Sequence, residues 1–86
     1  MNPLTLPMHD IPAMIGKLTP RQLQIVELLA QGNSNKQTGY LLSIKQDSVK
    51  RHIMDACRRS GVENRTQLIV IYAMWEVMKP VNCLIG

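Results

Sequence analysis

The sequence predicts an all-α fold, a bundle of four helices in which a tight turn joins the second helix to the third. Two observations support this prediction. Hydrophobic residues make up 45% of the 86 residues, yet the chain has no Phe, one Trp and two Tyr, so aliphatic side chains and Met must build the core. That composition favours helices. Helix start and stop signals also recur along the chain, whose length allows one small domain.

The first predicted helix begins at Pro20. Thr19 is placed as its N-cap, Pro20 takes the first helical position, and Gln22 follows three residues after the cap, which makes a capping box. Gly32 is positioned to end the helix in the left-handed conformation. The helical period places Ile25, Val26 and Leu29 on the inward face, with Leu28 beside them and Leu23 exposed on the opposite face.

The second predicted helix has a similar start, with Ser34 as its N-cap and Gln37 completing another capping box. Gly39 lies inside this helix, where glycine is less favourable than Ala by roughly 1 kcal/mol. We therefore expect a close helix–helix approach at Gly39. The inner face is predicted to hold Thr38, Leu41 and Leu42, while Lys36 points outward from the first turn.

The third predicted helix is apolar inside and mostly basic outside. It follows a turn at residues 43–45, opens at Gln46 or Asp47, and ends at Gly61. Its inner face holds Val49, Ile53 and Ala56, with His52 and Cys57 at the edges. Its outer face holds Asp47, Arg51, Met54 and Arg58, flanked by Lys50.

The fourth predicted helix begins after Asn64, its N-cap, and is apolar nearly all round from Leu68 to Met78. Such a helix must be covered on more than one side, and the core of a small domain covers only one of them. We therefore expect a second copy of the chain on the other side. Dimer contacts are predicted at Ile71, Met74, Trp75 and Met78.

The ends of the chain are predicted to lie outside this helical domain. Residues 1–17 contain Pro3, Pro7 and Pro12, a spacing that blocks a long helix and favours an extended or turn-rich arm. The apolar residues of this segment suggest that it packs on something, as a linker remnant, a dimer arm or a partner-binding tail. We therefore divide the chain into an N-terminal arm or linker (1–17), a helical domain (18–79) and a C-terminal tail (80–86).

The excess positive charge is confined to one part of the chain. Residues 34–65 contain seven basic and three acidic residues, which accounts for the whole net charge of +4, because the remainder has three of each. This distribution is typical of a phosphate-binding surface. A solvated helix face is the alternative interpretation of the charge alone.

No pattern in the sequence indicates an enzyme, a metal site or a cofactor. Cys57 and Cys83 belong to no CxxC motif or Cys/His cluster, and we expect a reduced cytoplasmic protein. His52 has no nucleophile at a matching spacing and is predicted to be structural, and Cys57 is predicted to be a small buried hydrophobe. The start of the chain is unlike a signal peptide, and the longest apolar run, residues 68–75, is too short to span a bilayer.

Residues 18–75 resemble the LuxR/GerE-type helix-turn-helix domain. Four segments support the resemblance, and each coincides with a helix start, turn or end: LTPR at 18–21, AQGNSNKQ at 30–37, SVKRH at 48–52 and GVENRTQL at 61–68. The resemblance implies a four-helix domain with the third helix in the major groove of double-stranded DNA and the fourth as a dimerisation helix. It also implies a sequence-specific transcriptional regulator that acts as a homodimer. The usual regulatory domain is absent, so the chain is either a free-standing small regulator or a fragment of a larger one.

The resemblance assigns roles to individual residues. Carried over, the positions that approach base edges are Lys50, Arg51 and Met54. The implied phosphate contacts are Lys36, Ser48 and Arg65, with Thr19 beside them, and we add Arg58 from the outer basic face.

The sequence departs from the family pattern at four positions. Thr38 stands where a larger apolar residue is usual, and Ser43 stands where Gly is usual, so Ser43 is strained if its φ is positive. Met54 can touch a thymine methyl group but cannot donate a hydrogen bond to guanine. Arg51 could contact guanine bidentately or contact a phosphate.

These departures leave a second hypothesis, a protein-interaction module built on the same fold. Through Leu23, the apolar arm and the fourth helix, such a module would sequester or modulate a LuxR-type regulator or RNA polymerase without specific DNA binding. Binding to duplex DNA, and its dependence on salt, separates the two hypotheses.

Overall fold

The computed structural model describes residues 11–78, and every regular element in that part of the chain is a helix. The all-α prediction is therefore confirmed. In chain order the helices are α1 (Ile11–Gly16), α2 (Pro20–Ala30), α3 (Asn35–Leu42), α4 (Gln46–Ser60) and α5 (Arg65–Met78). Helices α2 to α5 are the four predicted ones, and α3 and α4 form the helix-turn-helix.

Helix α1 corrects the prediction of an extended or turn-rich segment over residues 1–17. Residues 11–16 are helical. Pro12 is tolerated there because it lies in the first turn, where backbone N–H groups have no intrahelical partner. The apolar residues of α1 pack against α5 and α4. They are Ile11, Met14 and Ile15, all buried, at the spacing of one helix face. The remaining predicted arm (1–10) and tail residues lie outside the described residues.

The predicted starts of α2, α3 and α5 are confirmed by their capping hydrogen bonds. The Thr19 N–H donates to Gln22 Oε1 at 3.0 Å, and the Gln22 N–H donates to Thr19 Oγ1 at 3.1 Å. Ser34 and Gln37 make the same reciprocal pair at 2.8 and 3.0 Å. At α5, Asn64 Oδ1 accepts from the Gln67 N–H at 2.9 Å. These bonds satisfy N–H groups that the first helical turn leaves without partners.

The core lies where α1, α2, α4 and α5 meet, and it is aliphatic as predicted. Two predicted positions on its margin were wrong. Leu23 is partly buried because α2 is contacted by α3, α4 and α5, which widens its covered face. Leu41 is 55% exposed because the covered face of α3 runs through Thr38 and Gly39 to Leu42, which places Leu41 outside it.

Candidate nucleic-acid interface

Helix α4 presents a basic outer face whose orientation is fixed by its buried inner face. Val49 and Ala56 are fully buried and Ile53 is nearly so, which anchors one side of the helix in the core. The opposite side carries the predicted base-contacting residues Lys50, Arg51 and Met54, all exposed. Met54 is 65% exposed, which is a large exposure for an apolar side chain in a helix.

The turn between α3 and α4 is held by close backbone contact. A Cβ atom at Gly39 would lie 2.7 Å from the carbonyl oxygen of Ile44. Ile44 is also hydrogen-bonded to α3, because its N–H donates to the Gly39 carbonyl oxygen at 2.9 Å. The predicted close approach at Gly39 is therefore confirmed, although the neighbour is the turn rather than a facing helix. This contact lies directly before the start of α4 at Gln46.

Ser43 occupies the left-handed conformation, with φ 58° and ψ 41°. A left-handed conformation is unfavourable for a residue with a Cβ atom, so the conditional prediction of strain at Ser43 holds. The strained residue therefore lies in the turn between α3 and α4. Gly61, which ends α4 at φ 87°, adopts the same region without that cost.

The predicted phosphate-contacting residues lie on several different elements. Lys36 is exposed in the first turn of α3, and Ser48 is half-buried in the first turn of α4. Thr19 is half-buried in the capping box of α2. Arg65, at the start of α5, donates a hydrogen bond from its guanidinium to Asn35 Oδ1 at the start of α3. That contact brings two helix N-termini together beside the basic stretch.

Arg58 is the one predicted phosphate contact that the structure pairs with an acid. Its guanidinium lies 3.2 Å from Asp55 Oδ1, one turn earlier on α4. Asp55 Oδ2 accepts a second hydrogen bond, from Gln22 Nε2 of α2 at 2.9 Å. This Gln22–Asp55 hydrogen bond could not be predicted from local sequence signals, because the two residues lie 33 positions apart. Gln22 is only 2% exposed, so its polar side chain requires hydrogen-bond partners inside the protein.

His52 and Cys57 both sit at the edges of the buried face of α4, as predicted. Cys57 is half-buried rather than fully buried, and the burial that it has raises the pKa of its thiol, which favours the protonated form. Within residues 11–78, no group of three or more potential metal ligands is assembled. The same residues contain no helix long and apolar enough to cross a bilayer.

The predicted dimer surface on α5 requires one correction. Ile71 is fully buried in the core of its own chain and cannot contact a second copy. Ile71 shares the buried face of α5 with Leu68 and Tyr72, and α1, α2 and α4 all pack against this helix. Met74 and Trp75 are partly buried, and Trp75 packs against Tyr72 with ring centroids 5.7 Å apart. The large apolar residues of α5 that remain exposed are Val70, Val77 and Met78.

Tyr72 is buried on α5 and forms a side-chain hydrogen bond within the helix. Its hydroxyl donates to Glu76 Oε1 at 2.6 Å. Burial, this hydrogen bond and the nearby charges of Glu27 and Glu76 raise the pKa of the phenol. The hydroxyl therefore stays protonated and donates to Glu76, one turn further along α5.

The fold and the basic face of α4 define the chain as a helix-turn-helix protein, and comparison with known proteins identifies its family. Residues 16–72 match the family described as bacterial regulatory proteins, luxR family. The match covers more than half of the chain, so the protein belongs to this family, as its sequence motifs indicated. The family comprises bacterial regulators, and transcriptional regulation is the function that its membership supports.

Individual relatives share this part of the chain. The spore germination protein GerE of Bacillus subtilis is 36% identical over 53 residues, which are 62% of this chain and 72% of that protein. The glycerol metabolism activator of Pseudomonas putida is 39% identical over 59 residues, 69% of this chain and 27% of that protein. The nitrate/nitrite response regulator NarP of Escherichia coli is 38% identical over 55 residues, 64% of this chain and 26% of that protein. The chain thus spans about a quarter of the length of the last two.

Proposed function

We propose that this protein is a sequence-specific DNA-binding transcriptional regulator that acts as a homodimer and inserts α4 into the major groove. The observation that supports the proposal is the two-sidedness of α4. Its apolar face is locked into the core, while Lys50, Arg51 and Met54 project from the opposite face. An α-helix of this kind fits the major groove, where each base pair has a distinct pattern of donors and acceptors.

The three outer residues offer complementary base contacts. Arg51 can donate two hydrogen bonds to O6 and N7 of a guanine, and Lys50 can donate to the same edge. Met54 offers an apolar surface that suits the C5-methyl group of thymine. The preferred half-site therefore combines guanine with a neighbouring thymine.

Phosphate contacts would position this face. Lys36, Ser48 and Arg65 come from three different helices, and Arg65 is hydrogen-bonded to Asn35, next to Lys36 at the start of α3, so we expect these residues to contact the DNA backbone at more than one point. Thr19 stands at the N-terminal end of α2, where the helix dipole favours an anion. Each neutralised phosphate releases counterions, so affinity falls as salt rises.

The exposed apolar residues of α5 support a dimer of two copies. Val77 is 86% exposed and Met78 52%, and both adjoin Met74 on one surface. With Ile71 excluded, we assign the contact to Met74, Val77 and Met78, with the partly buried Trp75 at its edge. Two copies joined there would contact half-sites about one helical turn, roughly 10 bp, apart.

The proposal is tested by selecting a binding site from a random duplex library and measuring affinity by mobility shift. Lys50→Ala and Arg51→Ala are each expected to weaken binding to the selected site by about 1–3 kcal/mol and to relax base preference. Lys17→Ala removes an exposed positive charge from outside the basic stretch and is the matched control. Selected-site binding that neither α4 variant weakens would contradict the assignment of α4 as the recognition helix.

The salt series decides between this proposal and an interaction module. A DNA-binding protein with several phosphate contacts loses affinity steeply between low and physiological salt. Absence of duplex binding even at low salt would instead favour a protein that modulates another regulator or RNA polymerase.

A further inference from the structure

A buried amide connects the DNA-facing helix to the N-terminal end of α2. Gln22 is 2% exposed, and both ends of its side-chain amide are used. Its Oε1 accepts from the Thr19 N–H at 3.0 Å, and its Nε2 donates to Asp55 Oδ2 at 2.9 Å. Asp55 is placed directly after Met54 on α4. Thr19, Gln22 and Asp55 therefore form a continuous hydrogen-bonded chain between two elements of the interface.

We propose that Asp55 is a positioning residue for DNA recognition, which sets α4 in register with the end of α2 and holds Arg58 away from phosphate. The inference rests on the proposed DNA-binding function. It adds a role for two residues, Gln22 and Asp55, that contact no base themselves.

Each carboxylate oxygen of Asp55 accepts a hydrogen bond within the protein, which favours a positioning role over base contact. One carboxylate oxygen is directed at α2 by the Gln22 amide, and the other accepts from Arg58 on α4 itself. Both oxygens are thus engaged within the protein. A free carboxylate on this helix would repel phosphates, whereas Asp55 has its charge paired with Arg58 at 3.2 Å.

The bond to Gln22 acts on the geometry of the interface. Thr19 would meet a phosphate, whereas Lys50, Arg51 and Met54 would meet bases, so their separation must match the duplex for all contacts to form together. Gln22 fixes that separation because its amide bridges the cap of α2 and the middle of α4. Loss of the bridge is therefore expected to reduce specific binding more than binding to any duplex.

The bond to Arg58 acts on charge. Arg58 is exposed on the outer face of α4, but its guanidinium is partly neutralised by Asp55. Removal of the Asp55 charge would release Arg58 to contact phosphate. One added phosphate contact steepens the slope of log affinity against log salt by about 0.9 for each half-site.

Exchanging the amide and the carboxylate groups between positions 22 and 55 tests the Gln22–Asp55 hydrogen bond. Gln22→Glu keeps the acceptor for the Thr19 N–H but sets a second carboxylate against Asp55. Asp55→Asn keeps an acceptor for Gln22 and removes the charge. The double variant restores the contact with donor and acceptor exchanged, and its net charge equals that of the wild type.

The measurement is the ratio of affinity for the selected site to affinity for a scrambled duplex, over a range of salt. Gln22→Glu is expected to lower the ratio by roughly tenfold, in line with the loss of one well-placed polar interaction, and the double variant to restore it. Asp55→Asn is expected to steepen the slope of log affinity against log salt. Glu63→Gln, the control, removes an exposed carboxylate from the same basic stretch and is expected to change that slope less than Asp55→Asn does. Circular dichroism confirms that each variant is helical.

The outcomes separate this inference from the proposed function. Wild-type protein that binds no duplex overturns the proposed function. Wild-type binding with an unchanged ratio in Gln22→Glu, or a ratio that the double variant does not restore, overturns only the positioning role of Asp55. If Gln22→Glu does not fold, Gln22→Met replaces it, since Met has similar length and cannot donate to Asp55; an unchanged ratio there overturns the inference equally.

Discussion

Thr38 is a polar residue in an apolar position. It is fully buried in α3, and its Oγ1 atom has no hydrogen-bond partner. A buried hydroxyl without a partner loses its hydration and gains nothing in return. The sequence indicated a weak point here, because family members usually have a larger apolar residue at this position.

Replacement of Thr38 by Val should therefore stabilise the protein. Val has nearly the same shape and removes the unpaired oxygen, so we expect the free energy of unfolding to rise by about 1–2 kcal/mol. For a domain of this size that corresponds to a melting temperature higher by roughly 4–8 °C for each kcal/mol. Thr66→Val, at an exposed position on α5, is the control and should change little. A Thr38→Val protein that melts at or below the wild-type temperature would contradict this account.

Single residues also show which parts of the interface could be predicted. The exposure of Lys50, Arg51 and Met54 followed from the helical period of α4, and the structure places all three where the period put them. Their contacts with bases stay a prediction. The Gln22–Asp55 bond could not be predicted, because the helical period describes one helix at a time and this bond joins two.

At the scale of elements, local signals located α2 to α5 well and failed at α1. Capping boxes and left-handed glycines act within four residues, so their sequence is sufficient to place a helix end. Helix α1 has no such signal, and Pro12 indicated a break. Its six residues are held instead by the burial of Ile11, Met14 and Ile15 against α4 and α5, which is a tertiary effect.

The α3–α4 turn provides a prediction at this scale. Gly39→Ala adds a Cβ atom 2.7 Å from the Ile44 carbonyl oxygen, which is backbone and cannot move aside alone. We expect a loss of about 1–3 kcal/mol in unfolding free energy, and weaker DNA binding because α4 is displaced. Denaturant titration and mobility shift measure the two effects.

Gly16→Ala is the matched control for this prediction. Gly16 ends α1, and an added Cβ atom there meets nothing within 4 Å. That variant should be neutral or slightly more stable than the wild type. If Gly39→Ala proved as stable as Gly16→Ala, the close contact in the turn would not constrain α4.

At the scale of the whole molecule, α5 is covered by more of its own chain than the sequence predicted. Helices α1, α2 and α4 all contact α5, and Ile71 is fully buried in the core. The apolar surface left for a partner is smaller than the sequence suggested and lies near the C-terminal end of α5.

This smaller surface makes the dimer sensitive to a charge at Val77. Val77 is 86% exposed, so Val77→Glu leaves the fold of the monomer intact. In a dimer joined through α5, the carboxylate would be buried in an apolar contact, where an unpaired charge is strongly unfavourable. We expect Val77→Glu to sediment as a monomer and to bind the selected palindromic site with lower affinity and without the dimer complex in a mobility shift. Tyr40→Glu, an equally exposed position on α3, is the control and should stay dimeric. A Val77→Glu protein that still sediments as a dimer would place the dimer contact elsewhere in the chain.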